Sequence, residues 1–411
     1  MGGTRPLEGI RVADFSWFGA GPIAGQTLAN FGAEVIRVES ETHPDGLRAT
    51  QPVPLGKEGP DAGLNVSGYY NNFNANKLSF ALNMNHPMAR DVALRLVAKC
   101  DVLLENYTPR VMRKWGLAYE DVLKVRPDII YASQPMQGTW GPHKDFLGFG
   151  GVLAPVSGFS YLSGWPDRPP VGLGTNYPDY VINPGHTTVA ILAALRHRQR
   201  TGEGQYLELA QLESTASGLG VFLMDYANNG RIAERNGNRT AHAAPHGAFR
   251  CDGEDRWIAI AVFDDRQWQA LVATMDSPDW ALEPRFSTFV GRKANEDDLE
   301  RHIEAWTATR EAFALADRLQ DAGVPAGVVQ TARDVLENDA HLHARGFYRY
   351  LDHPEAGRTA YDGTHFRLHD TPGGPDRPAP LLGQHTEYVV KQLLGMSDEE
   401  VAELLINEVL R

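Results

Sequence analysis

The opening third of the chain alternates short apolar runs with stretches whose apolar residues recur at helical spacing. Ile10–Phe15 (IRVADF), Glu34–Glu39 (EVIRVE) and Leu78–Asn83 (LSFALN) read as strands, and a glycine-punctuated helical run separates the first two. Met88–Lys99 places Ala89, Val92, Ala93, Leu96 and Val97 on one helical stripe. Asp101–Asn106 (DVLLEN) and Asp128–Ser133 (DIIYAS) are further strands, with the helical pattern RVMRKWG between them. Strands alternating with helices predict a parallel sheet covered on both faces.

Further on, Gly138–Pro170 is rich in Gly, Pro and aromatics and reads as ordered loops. The stretch Thr175–His186 (TNYPDYVINPGH) then sets one acid, Asp179, between two tyrosines at the mouth of a long apolar run. That run ends in basic residues and Thr201-Gly202-Glu203-Gly204, a glycine C-cap pattern. Tyr206–Gln211 is a strand and Leu212–Ala227 a helix, followed by the polar linker candidate Asn228–Thr240. From about Ala243 the texture becomes that of a small α+β domain, with strands at Trp257–Val262 and Val324–Val329 and helices at Asp265–Met275 and Glu311–Gly323. Beyond Asp334 the chain is again Pro/Gly-rich and closes with two helices, the second opening on the capping box Ser397–Glu400. The expected division is therefore 1–228, 229–333 and 334–411.

Composition changes this picture in three ways. A chain of 411 residues exceeds one ordinary core, so two domains are expected. With 52 acids against 39 bases the net charge is −13, which argues against nucleic acid or an anionic membrane surface as partner. An anionic ligand stays open, because local cations and helix N-termini decide that. Only Cys100 and Cys251 occur, without a C-x-x-C pair, which suits a reducing compartment and gives no zinc pattern. No signal-like segment or long apolar span is present, so a cytoplasmic protein is expected.

Two features carry candidate chemistry. Gly19, Gly21 and Gly25 follow a strand and open a helix, and Glu39 ends the next strand twenty residues after Gly19. This outlines a βαβ unit whose helix N-terminus faces a ligand, without identifying the ligand. Asp179, from position alone, is a good N-cap.

The phrases PLEGIRVADFS…AGPIAGQTLANFGAEVIRVE, LLENYTPRVMRKWGL, IIYASQPMQGTWGP and ILAALRHRQRTGEGQYLELAQLES resemble the class III CoA-transferase family, which includes formyl-CoA transferase, carnitine CoA-transferase and α-methylacyl-CoA racemase. The likeness runs from Pro6 to about Ser214 and resumes more weakly in APHGAFRCDGEDRWIAIAV and RPAPLLGQHTEYVVKQLLG. It implies an α/β fold: a Rossmann-like large domain with an inserted small α+β domain, two chains forming an interlocked dimer. It also implies that the βαβ unit holds coenzyme A as an acyl-CoA substrate, with no metal and no NAD or flavin.

Under this resemblance Asp179 is the nucleophile, since the family's aspartate precedes the helix that ends in the R-x-x-TG-x-GQ phrase; Asp167 lies too far upstream to match. A carboxylate can attack a thioester carbonyl to give a mixed anhydride and free CoA thiolate. Tyr177 and Tyr180 are candidates to line the acyl pocket, and His186 reads as a helix-start or core residue. The resemblance carries CoA contacts onto Phe18, Gly19 and Ala20, onto Lys77, onto Asn106 and Tyr107, and onto Lys114, while Ser40 stands where a phosphate-binding base is expected. It places Gln137 beside the reacting carbonyl, in an oxyanion role.

Racemase chemistry requires an acid/base histidine shortly after the G-x-x-GP loop, and Phe149 occupies that position. CoA transfer is therefore the expected reaction, with α-methylacyl-CoA racemase as the alternative. The stretch NRTAHAAPHGAF lacks the glycine run of formyl-CoA transferase-type members, which argues for a different lid and acid. Trp140, Phe146, Phe149, Phe159, Tyr161, Trp165 and Tyr177 point to a bulkier or aromatic acceptor, such as a benzylsuccinate-like dicarboxylate with succinyl-CoA as donor. The resemblance implies an interlocked homodimer, or else a hetero-oligomer with a related subunit, in which one chain can be mainly structural.

Overall fold

The structure is a computed structural model describing residues 5–50, 52–54, 63–174 and 177–411. The chain forms two compact units, one of Met1–Tyr161, Gly172–Ile232 and Leu342–Arg411, the other of Leu162–Val171 and Ala233–His341. These boundaries differ from the sequence division in moving the short segment 162–171 to the second unit, in starting the rest of that unit at 233 and in ending it at 341.

The first unit opens with β1 (Arg11–Asp14), α1 (Ala20–Asn30), β2 (Glu34–Glu39), α2 (Gly68–Asn74), β3 (Leu78–Ala81), α3 (Ala89–Val97), β4 (Val102–Glu105), α4 (Pro109–Lys114) and β5 (Ile130–Ser133). It continues with α5 (Gly150–Val156), α6 (Asn183–Thr201), β6 (Gln205–Glu208), α7 (Gln211–Ala216) and α8 (Gly220–Asn229). The six strands are all parallel, in the order β3-β2-β1-β4-β5-β6. Successive strand residues point to opposite faces, so both faces need cover. Val12, Val35, Val102 and Ile130 pack with Ala24 and Leu28 of α1 and Ile191 of α6. Ala13, Ile36 and Leu103 face the other way, onto α3 and onto Val389, Leu394 and Leu404 of the C-terminal segment.

Where the pattern and the structure differ, local composition explains it. The helix expected over Leu212–Ala227 is broken at Ser217–Leu219, because Gly218 and Gly220 are weak helix formers. The loop region Gly138–Pro170 contains α5, which its glycines and internal Pro155 conceal. The run after Asp179 is apolar all round, yet α6 buries one face through Thr187, Ile191 and Ala194 and leaves Val189 and Leu192 exposed. It ends as expected at Gly202, whose φ of +78° suits a glycine and whose N–H donates to the Arg198 carbonyl at 2.8 Å.

The second unit holds the antiparallel sheet β7 (His246–Arg250), β8 (Trp257–Ala261) and β9 (Ala326–Val328), with β8 central. Ile258 and Ile260 pack on Trp268 and Leu271 of the helix Asp265–Thr274, Leu299 and Ile303 of Glu296–Thr307, and Leu315 and Leu319 of Ala312–Asp321. Among the described residues, no helix is long and apolar enough to cross a membrane.

Candidate active site

The chain reverses direction across the sheet between β1 and β4, and loops leaving those strands must diverge there. Open parallel sheets bind ligands in the crevice so created, at the carboxyl ends of the strands. A cavity of about 450 Å³ occupies this place. Its wall takes Trp17–Ala20 after β1, Asn106–Thr108, Arg110 and Val111 after β4, Met136 after β5 and Gln211 after β6, together with Phe146–Phe149 and Asp179. A second cavity, about 230 Å³, shares Trp17, Tyr107 and Val111 and extends over the ends of β2 and β3, past Ser40, His43, Asn85 and Lys114. Two cavities with a common wall suit a long ligand with an apolar reactive end and an anionic far end.

Buried charge fixes the loop after β1. Arg37, fully buried on β2, donates to the Ser16 carbonyl and pairs with Asp45. Asp45 in turn accepts from the Phe18 N–H at 3.2 Å and the Leu47 N–H at 2.9 Å. Phe18 is thereby held at φ +59°, a left-handed conformation unusual for an aromatic residue and typical of functional loops. Its ring reaches Phe149, centroid to centroid 4.6 Å. Asn106 locks the same loop from β4: its Oδ1 accepts from the Trp17 N–H and its Nδ2 donates to the Trp17 carbonyl, both at 2.8 Å. Gly21 is required because a Cβ there would lie 2.3 Å from Ser16 Cβ.

Lys77 belongs to this buried network rather than to the crevice. Its Nζ donates to Asp14 Oδ2 and to the Pro22 carbonyl, each at 2.8 Å, and the side chain is fully buried. Burial pulls its ammonium down to about 8, against the opposing pull of Asp14. The structure thus gives Lys77 the task of tying β3 to β1 and α1, and neither cavity wall includes it. Glu39 likewise is engaged by Arg48 at 2.6 and 2.9 Å and by the Tyr70 hydroxyl at 2.7 Å. Although burial opposes its ionisation, Arg48 holds this carboxyl down at about 2. The acid that completed the dinucleotide-like spacing is therefore occupied.

Asp179 is not the N-cap of α6. It lies inside a wide i→i+5 turn, Pro178–Ile182, that precedes the helix, an irregularity often found at functional sites. The residues Thr175 and Asn176 lie outside the described part. Asp179 is only 8% exposed, and its Oδ2 accepts from the Gly150 N–H at 2.8 Å. Gly150 opens α5, directly after Phe149, and was not singled out from the sequence; the closely spaced glycines of Gly148-Phe149-Gly150-Gly151 are the signal that could have found it. On its other side Asp179 abuts Gly19, where a Cβ would come within 3.4 Å of Asp179 Cβ and 2.4 Å of Tyr180 Cε1.

Of the residues marked from the sequence, Phe18, Gly19, Ala20, Asn106, Tyr107 and Asp179 meet on the larger cavity, and Lys114 lines the smaller one. Gln137 is on neither wall; the side-chain amides at the larger cavity are those of Asn106 and Gln211, and Gln211 Nε2 donates to the Gln134 carbonyl at 2.8 Å. Tyr180 points away from the larger cavity, packing on Phe73 at 4.8 Å, and burial pushes its hydroxyl up to about 12. Tyr177 packs on Phe159. Of the loop aromatics named above, only Phe146 and Phe149 reach the larger cavity, joined there by Trp17, Phe18 and Tyr107. His143 packs on Phe146 and His186 bonds Ser214 Oγ at 2.6 Å. Asp167 is exposed beside Arg168. Among the described residues no group of three or more His, Cys, Asp or Glu could hold a metal ion.

Sheet order, crevice and a sequestered carboxylate together describe an α/β protein with a cavity at the switch point of its six-stranded parallel sheet. Comparison with known proteins names the family. Residues 7–386 match the model of CoA-transferase family III, and the chain belongs to that family; CoA-transferases use CoA thioesters as substrates. It is 32% identical to the succinyl-CoA–D-citramalate CoA-transferase of Chloroflexus aurantiacus, over 99% of this chain and 98% of that one. It is also 32% identical to the beta subunit of that organism's succinyl-CoA–L-malate CoA-transferase, over 98% and 97% of the two chains. The crystal structure of a CAIB/BAIF family protein from Brucella suis matches with a TM-score of 0.85 and 30% identity, covering 95% of this chain and all of that one.

Proposed function

We propose that this enzyme moves CoA from an acyl-CoA donor to a carboxylic acid acceptor through a covalent intermediate on Asp179. The observation that carries the reading is a nearly buried carboxylate on an otherwise mainly apolar cavity wall, with one oxygen accepting from the Gly150 backbone N–H. A carboxylate in that setting is poorly solvated and correspondingly nucleophilic, while the Gly150 N–H orients it.

One Asp179 oxygen attacks the thioester carbonyl, the C–S bond breaks, and CoA leaves as thiolate. The mixed anhydride that results is exchanged when the acceptor carboxylate attacks its aspartyl carbonyl and the donor acid departs. The thiolate then attacks the new acyl carbon, forming the product thioester and regenerating the Asp179 carboxylate. No net proton transfer is needed, which fits a cavity that presents Phe149 where racemase chemistry would need an imidazole. Trp17 and Tyr107 suit the pantetheine arm, and Lys114 with His43 suits the phosphates in the neighbouring cavity.

The acceptor we favour is a substituted dicarboxylic acid with succinyl-CoA as donor, supported by the Chloroflexus relatives and the aromatic wall. For the assembly we infer an interlocked homodimer, supported by α8, which buries none of its own residues and exposes Val221, Phe222, Leu223 and Met224. A hetero-oligomer is the second reading, favoured by the subunit name of one relative; Asp179 would make this chain the catalytic partner rather than a structural one. Assaying CoA exchange across acyl-CoAs and carboxylic acids tests the reaction. Asp179→Asn is expected to lower turnover by at least ~10³-fold with acyl-CoA affinity retained; unchanged exchange in that variant, or Cα deuterium wash-in without any acceptor acid, overturns it.

A further inference from the structure

Resting on this reaction, the wall of the Asp179 cavity says what class of acid it selects. Its polar side chains are few and mostly committed. Asn106 spends both ends of its amide on Trp17, and Gln211 is tied to Gln134 and Asn183. Arg110 is different. Among the described residues lining this cavity it is the one cation, and no hydrogen bond or ion pair engages its guanidinium within the described chain.

Its place on α4 is fixed by helical spacing. Arg110 and Lys114 stand at i and i+4, on one helix face, with Val111 contributing to both cavities. Lys114 lines the smaller cavity and Arg110 the larger, so one cation serves each compartment. A monocarboxylic acid would bring its single carboxylate to Asp179 and leave Arg110 facing an apolar chain. A dicarboxylic acid supplies a second carboxylate, and guanidinium binds carboxylate through two parallel N–H···O bonds. Because one aspartate handles both half-reactions, the donor's acyl group before the exchange and the acceptor's acyl group after it occupy the same place on Asp179, and the same cation serves both.

We propose that Arg110 is the specificity-determining residue that holds the non-reacting carboxylate of a short dicarboxylic acid while the other carboxylate reacts at Asp179. Aromatic neighbours Phe18, Phe146 and Phe149 leave room for an apolar substituent between the two ends.

The test compares Arg110→Gln and Arg110→Lys with the native enzyme, using succinate, substituted succinates and length-matched monocarboxylates as acceptors. Arg110→Gln is expected to raise KM for the dicarboxylates at least about tenfold, to leave monocarboxylate KM unchanged, and to leave free CoA affinity by calorimetry unchanged; Arg110→Lys recovers part of the loss. An equal rise for mono- and dicarboxylates, weakened CoA binding, or no change at all overturns the assignment. If the native enzyme exchanges CoA with no acid, it is the transferase reading that fails. Calorimetric titration of native enzyme and Arg110→Gln with succinate, against butyrate, then still decides Arg110: a succinate preference that the substitution removes sustains it, and its absence overturns it.

Discussion

Glu105 shows how a single buried acid at the end of β4 shapes the crevice. Its Oε2 accepts from the Tyr107 N–H at 2.8 Å, which positions the tyrosine that both cavities share. Burial pushes this carboxyl from its ordinary 4.5 up to about 7, with Ser133 and the Tyr107 N–H pulling the other way. Between those values the native chain holds a proton that the unfolded chain has released. Stability is therefore greatest at and below the unfolded value and declines as pH rises through about 7. Glu105→Gln keeps the acceptor for Tyr107 and cannot ionise. Thermal unfolding is expected to show it matching the native chain near pH 4.5 and exceeding it by about 1–3 kcal/mol above pH 7; a variant less stable at the higher pH contradicts this. Little of this network was legible in the sequence. The resemblance carries Lys77 onto coenzyme A, and only the fold reveals that Lys77, Asp14 and Arg37 pair with one another inside the chain.

At the scale of elements, the site depends on a close approach between the start of α1 and the turn before α6. Gly19 permits it, since any Cβ there would strike the ring of Tyr180, the residue next to Asp179. Gly19→Ala is expected to fold, because its backbone is in the ordinary right-handed region, and to lower kcat at least about tenfold by displacing Asp179. Circular dichroism with steady-state kinetics checks both halves; an active variant would show that Asp179 tolerates displacement. The strands were the most legible elements, because β-branched runs such as EVIRVE and DVLLEN are short, apolar and bounded by turns. α5 was not, since the glycines around Phe149 and the interior Pro155 lower helix propensity, and tertiary contact decides. The Gly150 contact to Asp179 was hidden with it. Gln137 and Gln211 illustrate the same limit: resemblance locates a polar position, but only packing shows which amide reaches the wall.

At the scale of the whole molecule, the sheet needs its C-terminal segment. Val389, Val390, Leu394 and Leu404 complete the core over Ala13, Ile36 and Leu103, so the last part of the chain closes the face that the first part opens. The exposed apolar side of α8 is a surface of the kind that assembles. Sedimentation is expected to give twice the 45.3 kDa chain mass, and Phe222→Asp with Met224→Asp is expected to shift it toward a single chain; a native protein that sediments as one chain contradicts the dimer. The catalytic account itself is tested most directly by trapping the intermediate. The enzyme is incubated with succinyl-CoA and quenched with hydroxylamine or borohydride, and the peptide that contains Asp179 and ends at Arg196 is sequenced by mass spectrometry. The expected result is a hydroxamate or an alcohol at Asp179, dependent on acyl-CoA and absent from Asp179→Asn; an unmodified Asp179 in an enzyme that is turning over, or a modification on another residue, contradicts it.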